Sequence, residues 1–278
     1  MNNVNVITDP FQQSFVSLLQ GGVPIQTIID IGCADGQFGL GCLTLKRDLH
    51  VLNIDANIIF RDSLKEIEDK LGIPYRITAL SAHHGQLVME EQSNNIYGFQ
   101  VIYEQDTESN AGTYVDCTTL DSLLDEFDLP KPYFIKMDVE NNEFNVLQGA
   151  EKTLSSTAAI LLEQHTIHGS YSGDFLDKCS YLSSRNFTLF DIRQIYYKKR
   201  NLNLNAISIK SGSDSNPVIL SIFHPVFINK KFDFRSKDDH VTSPTEQIEE
   251  TQATAQALEN RRLRIIESNH KLISRLLH

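Results

Sequence analysis

The residues that invite chemistry fall in three short stretches. The first runs Asp30, Ile31, Gly32, Cys33, Ala34, Asp35, Gly36. The second ends in Asp55 and is followed by Ala56. The third crowds Lys136, Asp138, Glu140 and Glu143 together, with Glu163, His165 and His168 some twenty residues further on. An apolar run that ends in Asp30 and gives way to Gly32 and Gly36 before a helix has the form of a strand–turn–helix unit. Such a unit offers a nucleoside or dinucleotide site at the strand's carboxyl end. Asp55 closes the next apolar run roughly twenty residues later, the spacing at which a carboxylate accepts hydrogen bonds from ribose hydroxyls.

The turn spaces its glycines Gly32-x-x-x-Gly36 and is not GxGxxG. It also carries two carboxylates, Asp30 and Asp35. A dinucleotide brings a pyrophosphate to this turn, and nearby carboxylates would repel it. S-adenosylmethionine brings an ammonium, a sulfonium and a carboxylate but no phosphate, so acidic residues suit it better. A nicotinamide-dependent dehydrogenase is correspondingly disfavoured. The expected cofactor contacts are Asp30, Gly32, Cys33, Ala34, Asp35, Gly36, Asp55, Ala56 and Ser81. An ordinary strand–helix turn of an unrelated α/β protein is the competing reading of the loop alone.

Methyl transfer asks a protein to hold an acceptor oxygen in line with an activated methyl group and to take up a proton. Groups for that task belong at the ends of the strands that carry Lys136–Asp138 and Glu163. Asp138 or Glu140 can orient or deprotonate a hydroxyl. Lys136 beside Asp138 reads equally well as a structural ion pair. His165 has the ordinary pKa of a general base, or is a surface-loop histidine, which is the better reading for His168. Glu163 completes the candidate set. Asp138 and Glu163 on adjacent strand ends can hold Mg²⁺ through oxygen ligands, although nothing in the spacing requires a metal.

The positioning elements are legible as alternating runs. Helical spacing of Phe11, Phe15, Leu18 and Leu19 ends at Gly21-Gly22. Buried strands are expected over residues 27–31, 50–55, 76–80, 133–138 and 158–163. Helices are expected over 38–45, 57–71, 120–127, 143–154 and 174–184. Residues 81–114 read as irregular, with short strands near 86–89 and 100–103. Residues 187–197 and 218–228 can close the sheet as an antiparallel pair. This alternation predicts an α/β, doubly wound, Rossmann-like sheet with helices on both faces and right-handed connections.

Several of these segments together resemble one family, the FkbM-type methyltransferases. They are residues 29–36, residues 54–57, Ala79-Leu80-Ser81 with Gly85, and residues 119–123. The most specific is residues 134–143 (FIKMDVENNE), followed by Val146, Leu147, Gly149 and Ala150; residues 160–163 complete the set. The likeness runs in order from Thr27 to Glu163 and more weakly to about Ile228. It implies a seven-stranded, mostly parallel methyltransferase sheet whose last pair is antiparallel, S-adenosylmethionine as cofactor, and O-methylation, often of sugars, glycans or natural products. One departure is Asn141, where the family carries glycine; Asn tolerates left-handed backbone angles better than most residues.

The expected reaction is therefore O-methylation of a sugar or glycan hydroxyl. The alternatives are a non-sugar hydroxyl, as in a lipid or polyketide intermediate, and a non-catalytic methyltransferase-fold binding module. The chain has 278 residues, 41% hydrophobic, with a formal net charge of −11. That charge opposes general nucleic-acid binding, and Lys198-Lys199-Arg200 is the best local basic patch. Four cysteines without a zinc-type spacing suggest a reducing compartment. Residues 1–10 lack a leader pattern, and no run reaches the ~18 apolar residues of a membrane span. The expected location is cytoplasmic.

The expected organisation is a methyltransferase domain over 1–229, opening with a helical segment in 1–26, a linker over 230–245 and a helix over 246–278. In that helix Leu258, Ile265 and Leu272 recur at seven, with Ile266, Ile273 and Leu277 beside them. Ala255, Arg262 and Asn269 interrupt the seam, so docking on the domain and pairing into a homodimer are equally good readings.

Overall fold

A computed structural model describes residues 10–91, 99–101, 112–140, 142–165, 173–199 and 218–233. In chain order the elements begin with α1 (Pro10–Gln20), β1 (Thr27–Ile31), α2 (Gln37–Leu45), β2 (His50–Asp55) and α3 (Arg61–Leu71). There follow β3 (Tyr75–Ile77), β4 (Ala79–Leu80), β5 (Gly85–Glu91), β6 (Phe99–Val101), β7 (Thr113–Thr118) and α4 (Leu120–Leu124). The remainder comprises β8 (Tyr133–Met137), α5 (Glu143–Gln148), α6 (Glu151–Leu154), β9 (Thr157–Leu162), β10 (Gln164–His165), α7 (Phe175–Ser184), β11 (Phe187–Lys199) and β12 (Val218–Asn229).

The central strands are apolar on both sides because both sides are covered. Side chains of successive strand residues point to opposite faces. Ile28, Val51, Phe134 and Leu161 pack with Phe15 and Leu18 of α1 and Phe38 and Cys42 of α2. Their neighbours Ile29, Leu52, Ile135 and Ile160 pack with Leu120, Val146, Leu147 and Leu182 from α4, α5 and α7. A fully buried strand of this kind is what a parallel sheet between two helix layers demands.

The strands lie in the order β3-β2-β1-β8-β9-β12, with β11 outside β12 and β10 continuing β9 along β12. β1 pairs in parallel with β2 on one side and β8 on the other. Chain order reverses there, and a crevice opens at the carboxyl ends of such a pair. β12 runs antiparallel to both β9 and β11.

Three expectations change. The sheet has eight strand segments, because Glu163 interrupts the ladder between β9 and β10. The expected strand 76–80 divides into β3 and β4, and β4 joins a second sheet, β4-β7-β5-β6. The short strands expected near 86–89 and 100–103 are its β5 and β6, whereas β7 was not expected, since much of it is exposed and its residues lack clean alternation. The expected helix 143–154 breaks into α5 and α6 at Gly149. A Cβ on Gly149 would lie 2.2 Å from the Ser81 carbonyl oxygen, so only glycine lets the second sheet's first strand come this close. Asp121 then caps α6, accepting from the backbone N–H groups of Lys152 and Thr153 at 2.8 Å each.

The linker 230–245 lies mostly, and the helix 246–278 wholly, outside the described residues, as do Asn141, His168 and Arg200. Among the described residues no helix is long and apolar enough to cross a membrane.

Candidate active site

The Gly32–Gly36 turn is wedged between two strand ends. The Gly32 and Cys33 N–H groups donate to the Ile54 carbonyl at 2.9 and 3.1 Å. Gly32 takes φ +69, and a Cβ there would fall 1.7 Å from the Asp138 carbonyl oxygen. Glycine is needed twice over, for the left-handed backbone and for the contact. Ala34 also has positive φ, +49. Its N–H donates to Asp55 Oδ2 at 2.8 Å, while Asp55 Oδ1 accepts from the Asn57 N–H at 2.8 Å. Burial pushes the Asp55 carboxyl up, against these two donors, which favour its charge.

Asp30 faces Lys136 across the β1–β8 register. Lys136 Nζ stands 3.3 Å from Asp30 Oδ1 and 3.7 Å from Asp138 Oδ2, and donates to the Gly32 carbonyl at 2.5 Å. Burial disfavours the ammonium, but Asp30 and Asp138 outweigh it and hold the lysine above its ordinary pKa. This cation is thereby tied to the turn that it supports.

Beyond β8 the carboxylates gather. Burial pushes the Asp138 carboxyl well up, Lys136 pulls it down, and the neighbouring Glu163 raises it. Asp138 thus lies between the Lys136 ammonium and the Glu163 carboxylate. Burial works against the charge of Glu163, yet the hydrogen bond to His165, with His224 and Asp138 close by, holds it far below the usual range. His165 Nε2 lies 3.0 Å from Glu163 Oε2 and 3.7 Å from Glu140 Oε2, and His224 Nε2 lies 3.7 Å from Glu163 Oε1. Burial lowers the His165 pKa, but Glu163, Glu140 and Glu143 raise it further, so the net direction is up. Burial and the Glu163 charge push Glu140 up to about 7, against the pull of His165. Side-chain atoms of Glu140, Glu163 and His165 all lie within 4.8 Å of one another, so the charge on each acts on the other two. The Asp138–Glu163 pair considered for Mg²⁺ lies beside this cluster.

One cleft joins these groups. Gly32, Cys33, Ala34, Asp55, Ala56, Lys136, Asp138 and Glu140 line it, together with Asn57, Phe60 and Asn142. Asp30, Asp35, Gly36 and Ser81 stand off the wall. Asp30 is fully buried beneath it, Gly36 packs near Asn53, Leu64 and Ile67, and the Ser81 N–H donates to the Thr118 carbonyl at 2.9 Å. Glu163 and His165 stand behind Glu140. The Cys33 thiol is pushed well up by burial and by Asp30, so it is an inert wall.

Sequence reasoning missed His224, Lys178 and Gln164. His224 and Lys178 had a readable signal. Each is a polar residue set in an apolar pattern: His224 within β12, and Lys178 on the stripe of Phe175 and Leu182 in α7. The apolar roof of Leu87, Met89 and Val101 lies on the short strands expected near 86–89 and 100–103, but nothing in the sequence placed them at the cleft.

An open parallel sheet, a glycine turn at its switch point and a carboxylate closing the neighbouring strand define the α/β methyltransferase fold. A family model described as the methyltransferase FkbM domain matches residues 50–189, half of the chain. The chain belongs to this family. No curated protein matches it. Among solved structures, it is similar to precorrin-6y C5,15-methyltransferase from Geobacter metallireducens, at 12% identity and TM-score 0.40 over 81% of this chain and 92% of that one. It is also similar to magnesium protoporphyrin IX methyltransferase from Synechocystis, with bound SAM, at 9% identity and TM-score 0.40 over 79% and 77%. A third is TrmK of M. capricolum in complex with S-adenosyl-homocysteine, at 11% identity and TM-score 0.38 over 77% and 67%.

Proposed function

We propose that the chain transfers a methyl group from S-adenosylmethionine to a hydroxyl of a sugar or glycan, with Glu140 as the proton acceptor. The observation that carries this reading is the charge of the cleft wall. Among the described residues its charged members are Asp55, Lys136, Asp138 and Glu140, and Lys136 is already engaged by Asp30 and Asp138. Such a wall suits a cationic ligand without phosphate and opposes a pyrophosphate. The bare Gly32 backbone and the Asp55 carboxylate fit the cofactor's amino-acid and ribose portions.

When bound, the cofactor supplies an activated methyl group on a sulfonium. The chain's own residues supply placement and a proton sink. Gly32, Cys33, Ala34, Asp55 and Ala56 would hold it at the β1–β2 end. Glu140 sits on the wall at the β8 end with a pKa near neutrality, the range in which a general base works best. His165 stands beside Glu140 and stabilises the carboxylate, while Glu163 holds His165 from behind. Asp138 lies against Glu163 on the other side. A second reading, a non-sugar hydroxyl, draws support from the apolar roof of Leu87, Met89 and Val101 over the same cleft.

The test is calorimetry with S-adenosylhomocysteine on wild type and Asp55→Ala, followed by transfer of labelled methyl to sugar, glycan and lipid-alcohol acceptors. Saturable wild-type binding, lost in Asp55→Ala, is expected. A wild type that does not bind the ligand sinks the cofactor assignment. Labelling of lipid alcohols alone replaces the sugar reading with the second one.

A further inference from the structure

Gln164 sits between Glu163 and His165, and its side chain points away from theirs because strand residues alternate. It ends in a fully enclosed polar site. Lys178 Nζ donates to Gln164 Oε1 at 2.9 Å and to Glu143 Oε2 at 3.1 Å. The Lys178 and Glu143 side chains are each 2% exposed, and Gln164 is 3% exposed. Gln164 Nε2 in turn donates to the His165 carbonyl at 2.6 Å. The three residues come from α5, α7 and β10, so the network ties two helices to a strand of two residues.

Among the described residues the ladder of β10 consists of Gln164 opposite Phe223 and His165 opposite Ile222. A buried ion pair is a weak source of stability, since well-packed apolar residues of similar volume serve as well or better. Fixing a direction is something that apolar residues do poorly.

We propose that Lys178, Glu143 and Gln164 are positioning residues that lock the rotation of β10 and so aim Glu163 and His165 at Glu140. This rests on the reading of Glu140 and His165 as the proton-handling groups. The charged and titratable groups that face His165 are Glu163 at the end of β9, Glu140 after β8 and Glu143 on α5, with His224 of β12 across Glu163. Turning β10 would change the distance of the first two from the imidazole.

The experiment uses Gln164→Met, which keeps the volume, leaves Lys178 with Glu143 and removes both bonds of the amide. Three quantities are read: S-adenosylhomocysteine affinity, kcat for methyl transfer, and the titration of His165 followed by NMR with labelled histidine. The expected result is affinity within about twofold of wild type, kcat lower by roughly 10–100-fold, and a His165 midpoint moved down toward the ordinary histidine value. In a double-mutant cycle with Lys178→Met, the double variant should be no worse than Lys178→Met alone. A folded Gln164→Met with wild-type kcat and an unmoved His165 titration overturns the proposal, and so do additive losses in the cycle. If Lys178→Met does not fold, Gln164→Met alone decides. A wild type that methylates no hydroxyl refutes the proposed function instead, while the His165 titration still judges the positioning.

Discussion

The cleft has two ends built from different materials. At the β1–β2 end the contacts are mostly main chain: Gly32 against the Asp138 carbonyl, the Ala34 and Asn57 N–H groups on Asp55. At the β8–β10 end they are side chains delivered by distant elements: Glu140 after β8, Glu163 and His165 around β10, His224 from β12, with Lys178 of α7 beneath. Each end rests on a buried lysine. Lys136 is engaged by Asp30, Asp138 and the Gly32 carbonyl, and Lys178 by Glu143 and Gln164. A main-chain site is fixed by which residues are small enough to sit there. A side-chain site is fixed by how charges from several elements share protons. The first end should therefore fail sterically and the second electrostatically.

The largest effect is expected from Glu140→Gln, which should lower kcat by about 10²–10⁴-fold while leaving S-adenosylhomocysteine affinity unchanged in calorimetry. The wild-type rate should depend on the same group. Glu140 is raised to about 7, so it is protonated at pH 6 and charged at pH 8, and the rate should rise with pH through that value. A flat profile, or one that persists in Glu140→Gln, would remove Glu140 from the role. Glu140 also holds a left-handed φ of +47. Glu140→Gly should accordingly gain roughly 1 kcal/mol of stability in urea unfolding while losing the activity.

At the other end Gly32→Ala should destabilise by roughly 3 kcal/mol, combining left-handed strain with a backbone clash, because the new Cβ would lie 1.7 Å from the Asp138 oxygen. Binding of S-adenosylhomocysteine should be lost as well. If the variant unfolds at the wild-type urea concentration and still binds, the main-chain account of this end is wrong.

The same contrast explains what could be read in advance. Glycines at 32 and 36 with Asp55 after the second strand are a local pattern, and the doubly wound sheet followed from alternating runs. Asp30 and Lys136 could be named but not paired, because their contact needs the β1–β8 register. Asp30 therefore read as a cofactor residue, whereas the structure places it beneath the cleft as the partner of Lys136. Gln164 and His224 become meaningful only when β12 returns beside β9 and β10. Strands β5 and β6 of the second sheet were legible, but their joining into a sheet was not, because β7 between β4 and β5 is largely exposed and gives no period to read.

A milder change separates charge from shape at the main-chain end. Asp55→Asn keeps an acceptor for one backbone donor, but the lost charge weakens both bonds and any contact with ribose hydroxyls. The expected cost is about 1.4 kcal/mol, roughly a tenfold weaker binding of S-adenosylhomocysteine, with kcat at saturating cofactor close to wild type. A fall in kcat at unchanged affinity would move Asp55 from holding the cofactor to the chemistry.

The smallest effect tests whether the side-chain end responds to contacts or merely to helix stability. Asp174 caps α7, accepting from the Asp177 N–H at 2.8 Å, while Asp177 accepts from the Asp174 N–H at 3.0 Å. Asp174→Ala should cost about 1 kcal/mol in urea unfolding. Lys178 lies a full turn beyond the cap, where Leu182 and the edge-on contact of Phe175 with Phe223 hold the helix against the sheet. Its bonds to Glu143 and Gln164 should survive, and kcat should stay within about twofold of wild type, since exposed caps act on the helix terminus alone. A loss of kcat as large as that of Gln164→Met would show that the end of the cleft built from side chains follows the stability of α7 and not the aim of β10.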